Sequence, residues 1–535
     1  MTVTLAHLAI YSSCFLAFYV LRWLYKEHTR PLRRLPGPPD PGFLFGNVNE
    51  LNGDGETDLF ERWTKEYGPT FRVKGFLGKT RLYTADSKAV THILMNHYDY
   101  HKPDLTRFAL TELLGNGVLT TEEDKHKFQR KVMNPAFGHA QIRELTTIFV
   151  EKAMELRDVW QSQIDRSTDQ TGVARINSML WLSRATLDVI GLAGFNYDLR
   201  SLSATEEHAD ELSEAFKIIF SGKVSNLGIW SILRLMFPIL RPLPTMRGKL
   251  VTKARTTMER VGTKLITESK QAALASQEGG ATGARDLLSL LIKSNLNEEE
   301  SERMEDVDVL AQIPTFLVAG HETTSTATAW ALYALTQHPD MQCRLRDELL
   351  TLPNDTPTMD ELNSLPYLEA FVRETLRVHA PVPGIKRDAA RDGVIPLSVP
   401  VNGQNYVRVE KGQGITISLS ALNRSKQFWG EDAAEFKPDR WLNGSLDTSL
   451  PGIWGNMMTF GGGGRACIGF RFSLVEIKVL LFTLLRAFEF ELAVPKEDLI
   501  KSGRIVERPF VKSDKNTESQ LPLLVKNYSP GQERS

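Results

Sequence analysis

Apolar residues recur every three to four positions over most of the 535-residue chain, which is the periodicity of helices with one buried face. The pattern predicts helices over 57–67, 86–95, 122–133, 139–165, 176–194, 205–221, 248–276, 286–294, 305–337, 339–350, 365–379 and 470–490. The first stops at Gly68-Pro69. Short runs rich in β-branched and aromatic residues predict strands at 71–73, 80–84, 405–409 and 414–418. The expected fold class is mainly α, with a small β part near both ends of the body. Two stretches break the amphipathic rule. Residues 4–21 hold no Asp, Glu, Lys or Arg, and 218–243 is apolar without clean periodicity. The second reads as core or pocket wall, with part of it a candidate to dip into a membrane.

With Trp23, Leu24 and Tyr25 the first apolar run reaches the ~20 residues that span a bilayer. Lys26, Arg30, Arg33 and Arg34 follow it, which places the rest of the chain on the cytoplasmic side. A cleaved signal peptide fits less well, because the basic residues follow the apolar run and no small-residue cleavage site appears. Leu35-Pro-Gly-Pro-Pro39 then makes a stiff, extended hinge. The linear organisation expected is therefore a transmembrane anchor at 1–25, a basic and Pro-rich hinge at 26–56, and a catalytic body at 57–535. Residues 277–285, with three glycines, read as a mobile surface loop.

Composition sharpens this only in part. The chain is 42% hydrophobic and 24% charged, ordinary values for a large globular core. A net charge of −1 gives no global attraction to nucleic acid. Three widely spaced cysteines, Cys14, Cys343 and Cys467, exclude a disulfide framework and fit a reducing compartment.

The candidate chemistry lies in four places. Phe460-Gly-Gly-Gly-Gly-Arg-Ala-Cys-Ile-Gly469 puts Cys467 just ahead of an apolar helix, where amide groups and the helix dipole favour a thiolate. Such a thiolate is a soft metal ligand, with haem iron one candidate. Taken alone, the cysteine reads equally as a small buried hydrophobe. On the 305–337 helix, which Pro314 should bend, Ala319 and Thr323 share a face in Ala319-Gly-His-Glu-Thr-Thr324. Thr323 can bond back to the Ala319 carbonyl, and Glu322 beside it makes an acid–alcohol pair suited to moving protons. The bland alternative is a solvated Glu next to an ordinary Thr. Glu374 and Arg377 lie three apart on the 365–379 helix, with Glu369 and Arg373 as a second pair. Phe436-Lys-Pro-Asp-Arg-Trp441 could bring Arg440 to the Glu374 carboxylate and pin the loop that leads to Cys467.

In this order and spacing the four motifs resemble those of the cytochromes P450, the haem-thiolate monooxygenases, over essentially the whole chain after the anchor. The anchor and Pro-Gly-Pro-Pro are similar to the membrane-bound eukaryotic branch, and Val318-Ala-Gly-His-Glu-Thr-Thr-Ser325 to fungal members. The resemblance implies the cytochrome P450 fold and haem b with Cys467 as axial thiolate. Phe460, Gly463 and Gly469 would shape the cysteine loop, and Ala319 would leave room over the haem. Arg465, Arg130 and Arg387 would meet haem propionates. Glu322 and Thr323 would deliver protons, and Glu374, Arg377 and Arg440 would form a structural triad. Two positions depart from the family pattern. His126 stands where Trp is usual in Trp-x-x-x-Arg, so it either donates to a propionate or is a plain surface histidine. Gly464 stands where proline is frequent.

The function implied is insertion of one oxygen atom from O2 into a lipophilic small molecule, such as a terpenoid or polyketide of fungal secondary metabolism. Tyr98 to Leu114, Phe216 to Met246 and Val382 to Ile385 would line the pocket. No flavin or nicotinamide fingerprint is present, so NADPH would act indirectly through a separate cytochrome P450 reductase, with cytochrome b5 as a further candidate partner. The implied location is the endoplasmic reticulum membrane, by a single-pass N-terminal anchor. A reductase-independent isomerase or dehydratase, or a non-catalytic haem sensor, are the competing functions. A complete acid–alcohol pair argues against both.

Overall fold

The computed structural model describes residues 2–51, 56–167, 172–203, 210–220, 246–277, 285–297, 303–442, 449–503, 505–514 and 518–529. Most of the apolar 218–243 stretch and the 277–285 loop lie outside these residues. The chain forms two compact units, each gathered from distant parts of the sequence. The first joins Met1–Pro103 to Gly384–Leu422; the second joins Asp104–Pro383 to Asn423–Ser535.

Strands in the described residues are β1 (Thr70–Lys74), β2 (Thr80–Thr84), β3 (Tyr100–His101), β4 (Val173–Asn177), β5 (Gly384–Ala389), β6 (Gly393–Val401), β7 (Gln404–Val409), β8 (Gly414–Ser418), β9 (Phe488–Leu492), β10 (Leu499–Ser502), β11 (Arg508–Val511) and β12 (Pro522–Asn527). In the first unit the five-stranded sheet runs β1-β2-β8-β5-β3, with β2 and β8 the parallel pair. Sequence places β2 and β8 more than three hundred residues apart, so this pairing cannot be read from local pattern. β6 and β7 form a separate hairpin. The Glu56–Tyr67 helix lays Phe60 and Trp63 on this sheet, where the Tyr83 ring is stacked between Phe60 at 4.5 Å and Phe71 at 4.3 Å. Asp86 caps the Ser87–Met95 helix and also accepts from both the amide and the hydroxyl of Ser398, which holds β6 on that helix.

Residues Thr2–Thr29 form one helix, longer than the expected span. Its end is docked: buried Glu27 accepts from the Thr80 amide at 2.6 Å and pairs with Arg30 at 2.8 Å. Tyr11, Phe15, Phe18, Tyr19, Leu21 and Tyr25 along it are exposed. No helix among the described residues is long and apolar enough to cross a membrane, so the expected spanning segment is a helix without that property.

The second unit is largely helical, as the periodicity predicts. His139–Asp165 and Pro339–Leu350 match the expected bounds, and Glu123–Met133, Met246–Gln277 and Pro366–Val378 differ by one or two residues. Three expectations need correction. The 305–337 helix is two, Asp306–Leu310 and Gln312–Gln337, broken at Ala311. Pro314 has no N–H and its ring opposes the carbonyl four residues earlier, so it sits in the first turn of a new helix instead of bending an old one. The 470–490 helix ends at Ala487, because Phe488–Leu492 is a strand in the sheet β4-β12-β9. The 176–194 helix begins at Ser178, because residues 173–177 are the edge strand β4 of that sheet. The sheet buries Phe488 and Phe490 against Trp160. Gln312–Gln337 and Ser178–Phe195 pack closely at Gly320, where a Cβ would meet Ile190 at 3.0 Å.

The hinge is part of the first unit. Arg72 of β1 donates its amide to the Pro36 carbonyl at 2.8 Å and its Nε to the Leu35 carbonyl at 3.1 Å. Gly37 lies so close that a Cβ there would stand 2.1 Å from the Arg72 carbonyl oxygen. Gly37→Ala must therefore push the hinge off β1, at a cost of about 1–3 kcal/mol. The expected outcome is earlier proteolytic cleavage within 30–50 and a lower melting temperature; wild-type proteolysis would show that the hinge is not docked.

Candidate active site

The cysteine loop is built from backbone. Gly461 and Gly463 have φ of +69° and +65°, where a side chain is strained, and the Cys467 amide donates to the Phe460 carbonyl at 2.9 Å to close the loop. Phe460 is wedged between Trp454 and Phe470, with ring centroids 5.7 and 6.0 Å away. Gly469 caps the Phe470–Ala487 helix with a negative φ, and a Cβ there would meet Phe137 at an ordinary 3.7 Å. Its contribution is thus its amide, which donates to the Cys467 sulfur. Burial nevertheless pushes the Cys467 thiol up, and the Gly469 amide and the Arg130 charge only partly offset it. The amide at the helix start thus favours the thiolate, desolvation opposes it more strongly, and a bound cationic metal would tip the balance.

Two arginines tie this loop to the 121–133 segment. Arg130 donates to the Ala466 carbonyl, one residue from the cysteine. Arg465 donates to the Thr121 carbonyl at 2.8 Å and pairs with Glu122. His126, one turn before Arg130, is buried, so a surface histidine is ruled out. Arg387 lies on β5 in the first unit, where burial brings its guanidinium down to about 10 and it donates to the Lys386 carbonyl.

The second face is the Gln312–Gln337 helix. From Gln312 to Leu332 it is buried, except that Ala319 is exposed and Val318, Gly320 and Thr323 are half-buried. A small opening therefore lies where the sequence placed one. Phe316, one turn before it, packs edge-on against Phe137 at 5.4 Å, and Phe137 is the neighbour of Gly469. Phe137 thus links the turn before the opening to the cysteine loop. Cys467 itself is accessible although it lies deep among packed atoms, which is how a ligand facing an internal space presents. A soft sulfur with an amide aimed at it, flanking guanidinium groups and a cleared helix face fit a haem.

Thr323 donates back to the Ala319 carbonyl at 2.7 Å, as expected. Glu322 is buried, not solvated. Burial pushes its carboxyl up, but His321 at 3.3 Å and Arg508 of β11 outweigh that and hold it below the ordinary carboxylate range. His321 and Arg508 carry no signal of their own in the sequence: one stands as an unassigned letter within a motif, the other lies 186 residues away. A third unforeseen group is Glu476 on the helix after the cysteine. Burial pushes this carboxyl well above its ordinary value, offset only in part by the Thr324 hydroxyl. Neither of its oxygens has a hydrogen bond of good geometry among the described residues.

Behind the loop, Glu374 is fully buried. Arg377 donates to it through Nε and Nη2, both at 2.8 Å, and Arg440 through Nε at 2.9 Å. The Trp441 indole at 2.9 Å and the Lys437 amide at 2.7 Å complete the set. Arg377 also donates to the Asn423 carbonyl, while Asn423 accepts from the Met458 amide and donates to Thr459. Thr459 directly precedes Phe460, so the cluster does brace the cysteine loop.

The cytochrome P450 family model matches residues 36–510. Cytochrome P450 monooxygenase 205 of Postia placenta is 50% identical, with 94% of each chain covered. Cytochrome P450 monooxygenase 128 of the same fungus is 47% identical, with 96% of each covered. Cytochrome P450 monooxygenase claQ of Ampulloclitocybe clavipes is 35% identical over 96% of this chain and 97% of its own. The chain belongs to the cytochrome P450 family and is a P450 monooxygenase.

Glu476 also makes a pH prediction. An acid whose folded pKa lies above its ordinary 4.5 takes up a proton on folding. It costs no stability below that value and costs progressively more as pH rises toward the folded pKa. Glu476→Gln should leave the melting temperature unchanged in acid and raise it at neutral pH, by a margin that grows with pH. A pH-independent loss would show that the carboxyl is paired.

Proposed function

We propose that this P450 monooxygenase hydroxylates, or similarly oxidises, a lipophilic small molecule in fungal secondary metabolism, of the terpenoid or polyketide kind. The observation that carries the reading is the cleared face at Ala319 and Thr323 on a helix whose Phe316 packs on Phe137, the neighbour of Gly469 in the cysteine loop. Half-buried apolar Phe108, Leu110 and Val382 support a lipophilic substrate; Phe216 and Phe220 have side chains outside the described residues. Electrons come from NADPH through a separate reductase, with cytochrome b5 as a second donor.

Cys467 would hold the haem through its sulfur, with Arg130 and Arg465 to neutralise the propionates. Bound haem supplies the redox chemistry that activates dioxygen and transfers one oxygen atom. The chain's own part is binding, orientation and protons. The Gly469 amide and the closed loop fix the sulfur. Thr323 keeps its hydroxyl at the opening by bonding back to Ala319, and Glu322 one residue earlier carries the charge that accepts and passes a proton. An isomerase or a sensor needs neither group.

Cys467→Ala should abolish the thiolate-type carbon monoxide difference spectrum of the reduced protein. A surviving thiolate signature would refute the ligand assignment, and absence of reductase-dependent NADPH oxidation in the wild type would refute the monooxygenase reading.

We also propose that residues 2–29 hold the chain on the endoplasmic reticulum membrane, with the body on the cytoplasmic side. Support comes from six exposed aromatic and leucine side chains on that helix, with basic Lys26 in its last turn and Arg30, Arg33 and Arg34 after it. The full chain should stay with membranes in alkaline carbonate and lose them when 2–29 is removed. Release of the full chain by carbonate would mean surface attachment only.

A further inference from the structure

His321 occupies the turn between the opening and Glu322, and its two ring nitrogens face different groups. Nδ1 stands 2.6 Å from the Leu317 carbonyl, which can only accept, so Nδ1 carries a hydrogen. Nε2 stands 3.3 Å from Glu322 Oε1, and that carboxylate also only accepts while it is ionised. Nε2 is then the ring nitrogen that faces Glu322, and a proton bound there lies between the ring and Oε1. The ring is buried, at 5% exposure. The charged groups at this position are Glu322 on the same helix and Arg508 of β11, which holds the other carboxylate oxygen. From the Ser178–Phe195 helix only the Thr186 hydroxyl reaches it, and that donates to the His321 carbonyl. The acid of that helix, Asp188, is engaged with the Ser201 and Leu202 amides.

We propose that His321 is a proton store for the relay, passing its Nε2 proton to Glu322 Oε1. The step balances within the pair: an imidazolium and a carboxylate become a neutral imidazole and a carboxylic acid. No other hydrogen bond breaks. Nδ1–H stays on Leu317, Arg508 stays on Oε2, and the new O–H faces the Nε2 lone pair. Monooxygenation consumes two protons with two electrons and one O2 per product and water formed. Glu322 alone holds one proton at a time. With His321 behind it the pair holds two, and solvent protonation through Glu322 refills the ring by the reverse step. The inference rests on the monooxygenase reading above.

Two measurements on the haem-loaded full chain test it. The first is infrared detection of the protonated Glu322 carboxyl, assigned as the band lost in Glu322→Gln. His321→Phe removes both the hydrogen bond and the charge, so this band should persist to higher pH than in wild type, with His321→Gln between the two. An unmoved band overturns the coupling. The second uses reductase, NADPH and O2 without added organic substrate, and measures the fraction of consumed O2 released as hydrogen peroxide. His321→Gln still donates an N–H to Glu322 but stores no proton, so the peroxide fraction and the solvent deuterium isotope effect should both rise while the thiolate carbon monoxide spectrum stays wild-type. Wild-type values for both in His321→Gln overturn the store. Failure of the monooxygenase reading looks different: the wild type itself would lack the thiolate spectrum or reductase-dependent NADPH oxidation.

Discussion

Five donors converge on the carboxylate of Glu374, and none of that side chain reaches solvent. An isolated buried charge would cost several kcal/mol, so the arrangement stands only because every lone pair is met. Arg377 and Arg440 bring more positive charge than Glu374 can balance, and Asp432, 3.2 Å from Arg440, supplies the rest. The cluster joins the Pro366–Val378 helix to the 423–441 segment and, through Asn423 and Thr459, to the start of the cysteine loop. The sulfur's position therefore depends on an ion cluster it never touches.

The Gln312–Gln337 helix shows how a run of hydroxyls is tolerated in a buried helix. Thr323, Ser325, Thr326 and Thr328 each bond to the carbonyl four residues earlier. Thr324 does not, and it is the one beside Glu476. On either side of this helix sit two carboxyls of opposite character. Glu322, between His321 and Arg508, is held as an anion; Glu476, in apolar surroundings, is held as an acid. Environments that separate two carboxyls in this way assign them different proton roles.

Much of this was legible beforehand. Long periodic helices were placed to within a residue or two because their apolar spacing reflects a single buried face. In the second unit Glu374, Arg377 and Arg440 meet, and Arg130 bonds to the loop beside Cys467. The misses share a cause. Pro314 was read as a kink when it begins a helix, since a proline in a helical pattern does not say on which side the chain breaks. Residues 176–177 and 488–490 read as helix ends until β12 pairs with the strands they belong to. Arg508, Asn423 and Glu476 belong to no local pattern, so only their neighbours reveal them.

The sequence by itself determined the family, because its motifs are matters of residue type and spacing along the chain. It determined that Thr323 would bond to Ala319, since a helix fixes what lies four residues back. Tertiary structure alone decided charge. Whether Glu322 is ionised, Glu476 is neutral or Cys467 remains a thiol depends on desolvation and on partners such as Arg508 and Arg130, which arrive from elsewhere in the chain. Proton chemistry is set by what surrounds a group in space, and spacing in sequence does not carry that information.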